Sequence, residues 1–274
     1  MKRKNVGMFL GLTSLLISML ACSLGSPAPS DTSSNDPNPE ATAASEESAA
    51  PTEAAATEEA ANPSAGACSN PYLPIVQGAT WNYNLTGPVP DTFTRSIISV
   101  ESTGFTDQDV FGTGVTRQGQ WACDNGALTA LDPTSGNTAS VNTENVTVDF
   151  QTTAASGVTL PAALNPGDTW TQTITLEGTE EINGLQIPAS NEFSNACTVA
   201  GPESVTVAAG AFDAVRVDCT TNMNITLTMN GVPISQPITF TATSWYALNV
   251  GLIKTVSSGS GLDSTIELTS YSIP

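Results

Sequence analysis

Between Asp213 and Met229 the chain alternates with a period of two. Val215, Val217, Cys219, Thr221, Met223, Ile225, Leu227 and Met229 fall on one side, and Arg216, Asp218, Thr220, Asn222, Asn224, Thr226 and Thr228 on the other. Successive side chains of an extended strand point to opposite faces, so this pattern puts one face on a core and the other in water. The length predicts one long bent strand or two in sequence. The run ends at Asn230-Gly231, a dipeptide suited to a type I′ hairpin because both central residues of that turn need positive φ. Val232 to Thr243 then returns with Ile234, Ile238, Phe240 and Ala242 on one face. Pro233 and Pro237 place its beginning at a sheet edge, since proline cannot donate to a ladder.

The same device recurs along the chain. Trp121 to Leu128 reads as a hairpin around Asn125-Gly126, and Thr169 to Ile182 meets Leu185 to Ile187 across Asn183-Gly184. Val205-Thr206-Val207 and Phe212 to Val217 flank a looser turn at Ala208-Ala209-Gly210-Ala211. Val250 to Val256 and Leu262 to Ile273 supply two further strands. Roughly a dozen strands separated by turn residues, with no amphipathic helix of useful length, predict an all-β antiparallel sandwich or an open or half barrel. Gly78-Ala79-Thr80-Trp81 and Gly167-Asp168-Thr169-Trp170 each place Gly-x-Thr-Trp at the mouth of a strand, which suggests two related halves.

This domain begins near Cys68, and what precedes it has a different character. Met1-Lys2-Arg3-Lys4 is basic, and Val6 to Leu20 is apolar over about fifteen residues, short of the ~20 a spanning helix needs. A small residue then stands before a cysteine in Met19-Leu20-Ala21-Cys22, so residues 1–21 read as a secretory signal peptide. The cut site resembles the lipobox of bacterial lipoproteins, with Met19 where those proteins more often carry Leu. That resemblance implies that Cys22 is acylated and becomes the new N-terminus. Residues 22–67 are almost wholly Ala, Ser, Thr, Pro, Glu, Asp and Asn, with Leu24 as the single large aliphatic. Such a segment cannot bury enough apolar surface to offset the entropy of ordering it, and is expected to be a solvated tether holding residues 68–274 roughly 40 Å from the membrane.

Charge and cysteine usage narrow the partners. Removing the signal peptide leaves 4 basic residues against 26 acids, a net charge of −22. Nucleic-acid binding needs clustered Lys and Arg on phosphates and is not expected here. Anionic lipid would be repelled too, so the acyl chains of Cys22 must provide the membrane partner. Cys68, Cys123, Cys197 and Cys219 are an even set in an exported domain and read as disulfides, for which three pairings exist. Cys219 lies on the apolar face of its strand and Cys197 is one hairpin upstream, within reach of a neighbouring strand. That favours Cys197–Cys219, and leaves Cys68, before the first strand, to Cys123.

Chemistry is constrained by missing parts. The chain has no histidine, so neither a Ser-His-Asp nor a Cys-His arrangement can be built, and paired cysteines supply no thiolate. Zinc is disfavoured by the same absence together with the lack of a C-x-x-C pair. No cofactor, metal site or catalytic residue is assigned. Asp107-Gln108-Asp109 with Gly112 nearby falls short of a complete calcium loop, and a hydrolase built on two carboxylates would have to draw on acids expected in or beside turns. Of Arg95, Arg117, Arg216 and Lys254, Arg216 is the one to follow, since a buried arginine between two carboxylates would mark a site.

Three patterns stand in order along the domain: Gly78-x-x-Trp81-x-Tyr83, then Val205-x-Val207-x-Ala209-Gly210-x-Phe212-x-Ala214, then Trp245-Tyr246-x-x-x-Val250-Gly251-x-Ile253-Lys254. Together they resemble an uncharacterised family of bacterial envelope proteins and lipoproteins with a β-rich domain of unknown function. Ala208 departs from the proline more usual in that family. The resemblance implies the fold and an extracytoplasmic, membrane-anchored address, and transfers no active site. Two non-enzymatic functions follow. One is an interaction or scaffold module presented to another envelope component, with a filled core. The other is a carrier of an apolar, lipid-like ligand in an open barrel, with a pocket rimmed by Trp81, Trp121, Trp170 or Trp245. The first is preferred, because four tryptophans are readily absorbed by a core.

Overall fold

In the computed structural model the chain is described over residues 68–131, 142–143, 146–182, 185–261 and 263–274. Cys22, the signal peptide, the tether and the Asn183-Gly184 turn lie outside these residues. The strands are β1 (Thr80–Thr86), β2 (Asp91–Val100), β3 (Gly104–Phe111), β4 (Thr116–Asp124), β5 (Ala127–Ala130), β6 (Asn142–Thr143) and β7 (Val146–Gly157). They continue as β8 (Thr169–Ile182), β9 (Leu185–Val207), β10 (Gly210–Met229), β11 (Val232–Ala247), β12 (Gly251–Ser258) and β13 (Ser264–Ser272).

All thirteen belong to a single antiparallel sheet in the order β5-β4-β3-β2-β1-β13-β12-β11-β10-β9-β8-β7-β6. The sandwich is therefore set aside in favour of the barrel. Leu128 of β5 bridges to Leu160, just beyond β7, with N–H to O distances of 2.9 and 3.1 Å in the two directions, so the sheet curls into a nearly closed barrel. Ala130 N–H donates to Thr159 Oγ1 at 2.8 Å across the same seam.

The turns follow their residue chemistry. Asn125 and Gly126 have φ of 49° and 85°, and Asn230 and Gly231 have 52° and 77°, as two-residue hairpins of type I′ require. The expected looser turn at 208–211 is tighter than that: Val207 pairs with Gly210, leaving Ala208 and Ala209 as the turn. β10 is one 20-residue strand; where Arg216 faces Gly201 and Val217 faces Val199, the extra residue of a bulge, Ala200, lies in β9. Ala214 rather than Val215 is the buried residue before the bulge, and Val217 the buried one after it. β9 runs unbroken for 23 residues, where the sequence had suggested two short strands. β12 pairs only with Thr241–Ala247 of β11, so Pro233 and Pro237 do sit where β11 has one neighbour.

The two Gly-x-Thr-Trp turns are structural equivalents. Gly78 N–H donates to Ile97 O and Gly167 N–H to Val199 O, both at 2.9 Å. Ile97 N–H returns to Ala79 O at 3.0 Å, as Val199 N–H does to Asp168 O at 2.9 Å. The glycines have φ of 87° and 89°, a conformation that favours glycine. Both disulfides take the expected partners, Cys68–Cys123 and Cys197–Cys219. The core gathers around Trp81, Ile97, Leu128, Ile253 and Leu268, all almost fully buried.

Candidate functional site

A sheet this broad encloses more space than its inward side chains fill. The interior holds a cavity of about 190 Å³ lined from β2, β4, β5 and β8–β13. Its walls are largely apolar, with Phe93, Leu160, Ile174, Leu176, Phe193 and Val217 among them, and the Cys197–Cys219 disulfide forms part of the lining. Polar side chains share the lining, among them Arg95, Gln172, Asn195, Thr221, Ser244 and Thr255. Thr221 Oγ1 donates to Asn195 Oδ1 at 3.0 Å, and Ser244 and Thr255 hydroxyls lie 3.0 Å apart. Of the tryptophans named above, Trp121 and Trp170 line this cavity, while Trp81 and Trp245 do not. Trp81 is 1% exposed, and its Nε1–H donates to Val250 O at 2.7 Å. Trp245 Nε1–H donates to Glu203 Oε2 at 3.0 Å.

One wall carries charge. Cross-strand register sets Trp81, Arg95, Asp109 and Arg117 side by side on β1 to β4. Arg95 grips Asp109 with two bonds, Nε to Oδ1 and Nη2 to Oδ2, each 2.8 Å, and its Nε lies 3.7 Å from Asp107 Oδ2. Asp107 and Asp109 are only 4% and 6% exposed. Burial pulls the Arg95 guanidinium down, but the charge and hydrogen bonds of Asp109, with the charge of Asp107, more than offset this and hold it above its ordinary value. Arg117 is shifted the other way: burial lowers it, and its guanidinium rests 4.5 Å above the Phe111 ring. Tyr83, stacked on Phe93 at 4.9 Å between ring centres, is pushed up by burial and donates its hydroxyl to Leu252 O at 2.8 Å. Burial raises Tyr246 as well.

The expected arginine is therefore misplaced by the sequence reading. Arg216 forms a half-exposed pair with Asp218 at 3.1 Å, and Arg95 is the buried arginine between two carboxylates. Those carboxylates are Asp107 and Asp109, expected in a solvated turn and found on the inward face of β3. A guanidinium engages them there in place of a cation loop. Among the described residues no group of three His, Cys, Asp or Glu side chains converges on a common point. Lys254 pairs with Glu267 at 2.8 Å and lies 5.9 Å from the centre of the Trp245 ring.

Comparison with known proteins bears on this architecture. No curated protein is significantly similar to the chain in sequence. Among solved structures, one provisionally described as an exported protein with a YmcC-like fold, from Bacteroides fragilis, is 16% identical, covers 72% of this chain and 96% of its own, with a TM-score of 0.46. A protein described provisionally as a lipoprotein, from Parabacteroides distasonis, is 17% identical with coverages of 74% and 99% and a TM-score of 0.49. The hypothetical lipoprotein YmcC of Escherichia coli is 13% identical, with coverages of 74% and 87% and a TM-score of 0.32. The sequence model of the DUF3108-like family matches residues 102–270, which spans the inward carboxylates of β3 and two of the three patterns quoted above. The chain belongs to the DUF3108-like family.

Proposed function

We propose that the protein is an exported lipoprotein, held at the membrane by acylated Cys22, that binds small, largely apolar molecules inside its barrel and catalyses no reaction. The observation that carries this reading is the interior cavity of about 190 Å³, walled by aliphatic and aromatic side chains. A cavity of about this volume is large enough for a molecule the size of benzene. Two disulfides and a basic-then-apolar start ending at a cysteine support the exported address. The interaction-module reading has one observation of its own. Leu185, Val232 and Ile234 are 57%, 60% and 42% exposed near the ends of the long β8–β9 and β10–β11 hairpins.

Two measurements test the proposal. Expressed in a bacterial host, the full chain is expected to partition into detergent, and Cys22→Ala to move it to the aqueous phase. Retention of the variant in detergent would mean that the apolar run remains as an anchor. With that soluble full-length variant, titration with toluene is expected to give saturable one-site binding and to raise Tm with ligand concentration. Ala242→Phe, which projects a ring into the cavity from β11, is expected to abolish binding without loss of the fold. Absence of saturable binding by the unfilled protein would rule out the lumen as a ligand site.

A further inference from the structure

The four tryptophans sort into two pairs. Trp81 and Trp245 each place their indole N–H on a protein acceptor, Val250 O and Glu203 Oε2. Trp121 and Trp170 do not: the Nε1 of each is buried, and no protein group among the described residues accepts from it. A buried donor left without an acceptor costs about 1–3 kcal/mol, so a native structure keeps such donors for a reason. Five buried side-chain polar atoms are in this condition among the described residues, and two of them, the indole nitrogens, belong to residues that line the cavity. Trp121 is 7% exposed, and its ring stacks on Phe105 at 5.3 Å between centres, which fixes its orientation.

The equivalence of the two Gly-x-Thr-Trp turns sharpens the contrast. Trp81 and Trp170 occupy the same place in the same backbone arrangement, one residue into the strand after the glycine turn. At the first, the neighbouring backbone supplies an acceptor; at the second, the ring borders the cavity and none is supplied. Asn70 shows the opposite case, a buried side chain whose polar atoms are all engaged. Asn70, 5% exposed, gives its amide to Gly126 O at 2.7 Å and Pro161 O at 3.0 Å, and accepts from Tyr72 N–H at 2.8 Å.

From this we infer that the lumen recognises a neutral, mainly apolar molecule carrying a hydrogen-bond acceptor of the ketone, ester, amide or ether class, received by the indole N–H groups of Trp121 and Trp170. This rests on the lumen being a ligand site, as proposed above, and adds what the ligand must present. Neutrality follows from the charges. Arg95 is the charged residue lining the cavity, and Asp109 already holds it through two bonds, so an entering carboxylate meets no spare cation. Among the described residues no carboxylate lines the cavity to receive an ammonium. The volume suits a single ring with a short substituent, or an equivalent stretch of a longer chain.

The test uses the full-length Cys22→Ala protein and four probes of matched size: toluene, acetophenone, benzoate and benzylamine. Acetophenone is expected to bind roughly tenfold more tightly than toluene, the worth of satisfying a buried donor, and the two ions more weakly than toluene. In proton–nitrogen spectra the indole N–H signals of Trp121 and Trp170 should move downfield with acetophenone and not with toluene, while those of Trp81 and Trp245 stay in place. Trp121→Phe and Trp170→Phe should each reduce the preference for the ketone over toluene, measured as the ratio of the two affinities in the same variant. Trp170 is only partly buried and its replacement is the milder one, and the spectra of the unsubstituted indoles need neither variant to fold. Equal binding of toluene and acetophenone, with no indole shift, would overturn this inference while leaving the lumen a binding site. Failure of all four probes to bind would overturn the lumen reading itself, and this inference with it.

Discussion

Replacing Arg95 by methionine is expected to cost about 3–5 kcal/mol of stability, the loss that follows when one partner of a buried ion pair is removed. Asp107 and Asp109 would remain inside the barrel wall without the guanidinium that holds them, and neither can turn to water from the inward face of β3. For a domain of this size the loss should lower Tm by roughly 10 °C or more. Arg95→Met combined with Asp109→Leu is expected to be more stable than Arg95→Met alone, because the second change removes one of the stranded charges. By contrast Arg216→Met should change stability by less than about 1 kcal/mol, since both members of that pair are some two-fifths exposed to water. Thermal or denaturant unfolding of the four proteins measures all of this. A cost for Arg95→Met no larger than that for Arg216→Met would show that the charged wall is not structural.

The two disulfides should differ in what they contribute. Cys68–Cys123 closes a separation of 55 residues and Cys197–Cys219 one of 22. By the chain-entropy argument these are worth about 4 and 3 kcal/mol respectively. The native contacts widen the gap. Cys197 and Cys219 lie opposite each other in a ladder that continues well beyond them on both sides, so the strands stay paired without the bond. Cys68 anchors an irregular segment also tied by the Asn70 bonds, by the Asn249 N–H to Pro71 O bond at 2.7 Å and by packing of Tyr72, Leu73, Ile75 and Val76 on the core. Tyr72 and Leu73 in that segment line the cavity. Cys68→Ser with Cys123→Ser is therefore expected to destabilise more than Cys197→Ser with Cys219→Ser, and also to weaken binding of toluene. Denaturant midpoints and the same titration decide it, and the opposite order of stability would contradict the role given to the segment.

Much of the architecture can be read from residues alone, because strands and hairpins are local. Period-two alternation located β10, Asn-Gly marked two hairpin turns, and the prolines marked the half-paired stretch of β11. Sheet closure was not readable in the same way. Whether thirteen strands form two layers or one barrel depends on which distant strands meet, and Leu128 and Leu160 carry no mark of their bridge. The bulge between β9 and β10 was hidden because its extra residue, Ala200, stands in the opposite strand and leaves no mark in the alternation of β10. The site shows the subtlest failure. Phe93-x-Arg95-x-Ile97 and Phe105-x-Asp107-x-Asp109-x-Phe111 set charges at the same parity as buried aromatic and aliphatic residues. Against that signal, acids near glycine favour a solvated turn, and the longer, cleaner alternation of β10 points to Arg216 instead. Trp121 and Trp170 were named as candidate rim residues, but nothing in their surroundings told which indoles would lack an acceptor.

The strand order also sets a schedule for folding. Every ladder in the sheet joins strands that follow one another in the chain, with a single exception, β1 against β13. Tyr83 there meets Leu268. Hairpins can form as soon as their two strands are present, on microsecond timescales, but β1 waits with one edge open until β13 has been made. Loop closure over so many residues slows the final step, and an open edge in the meantime is exposed to pairing with other chains. The net negative charge of the chain then has a use before the native state exists, since it keeps incompletely folded copies apart while β1 is still without its second partner.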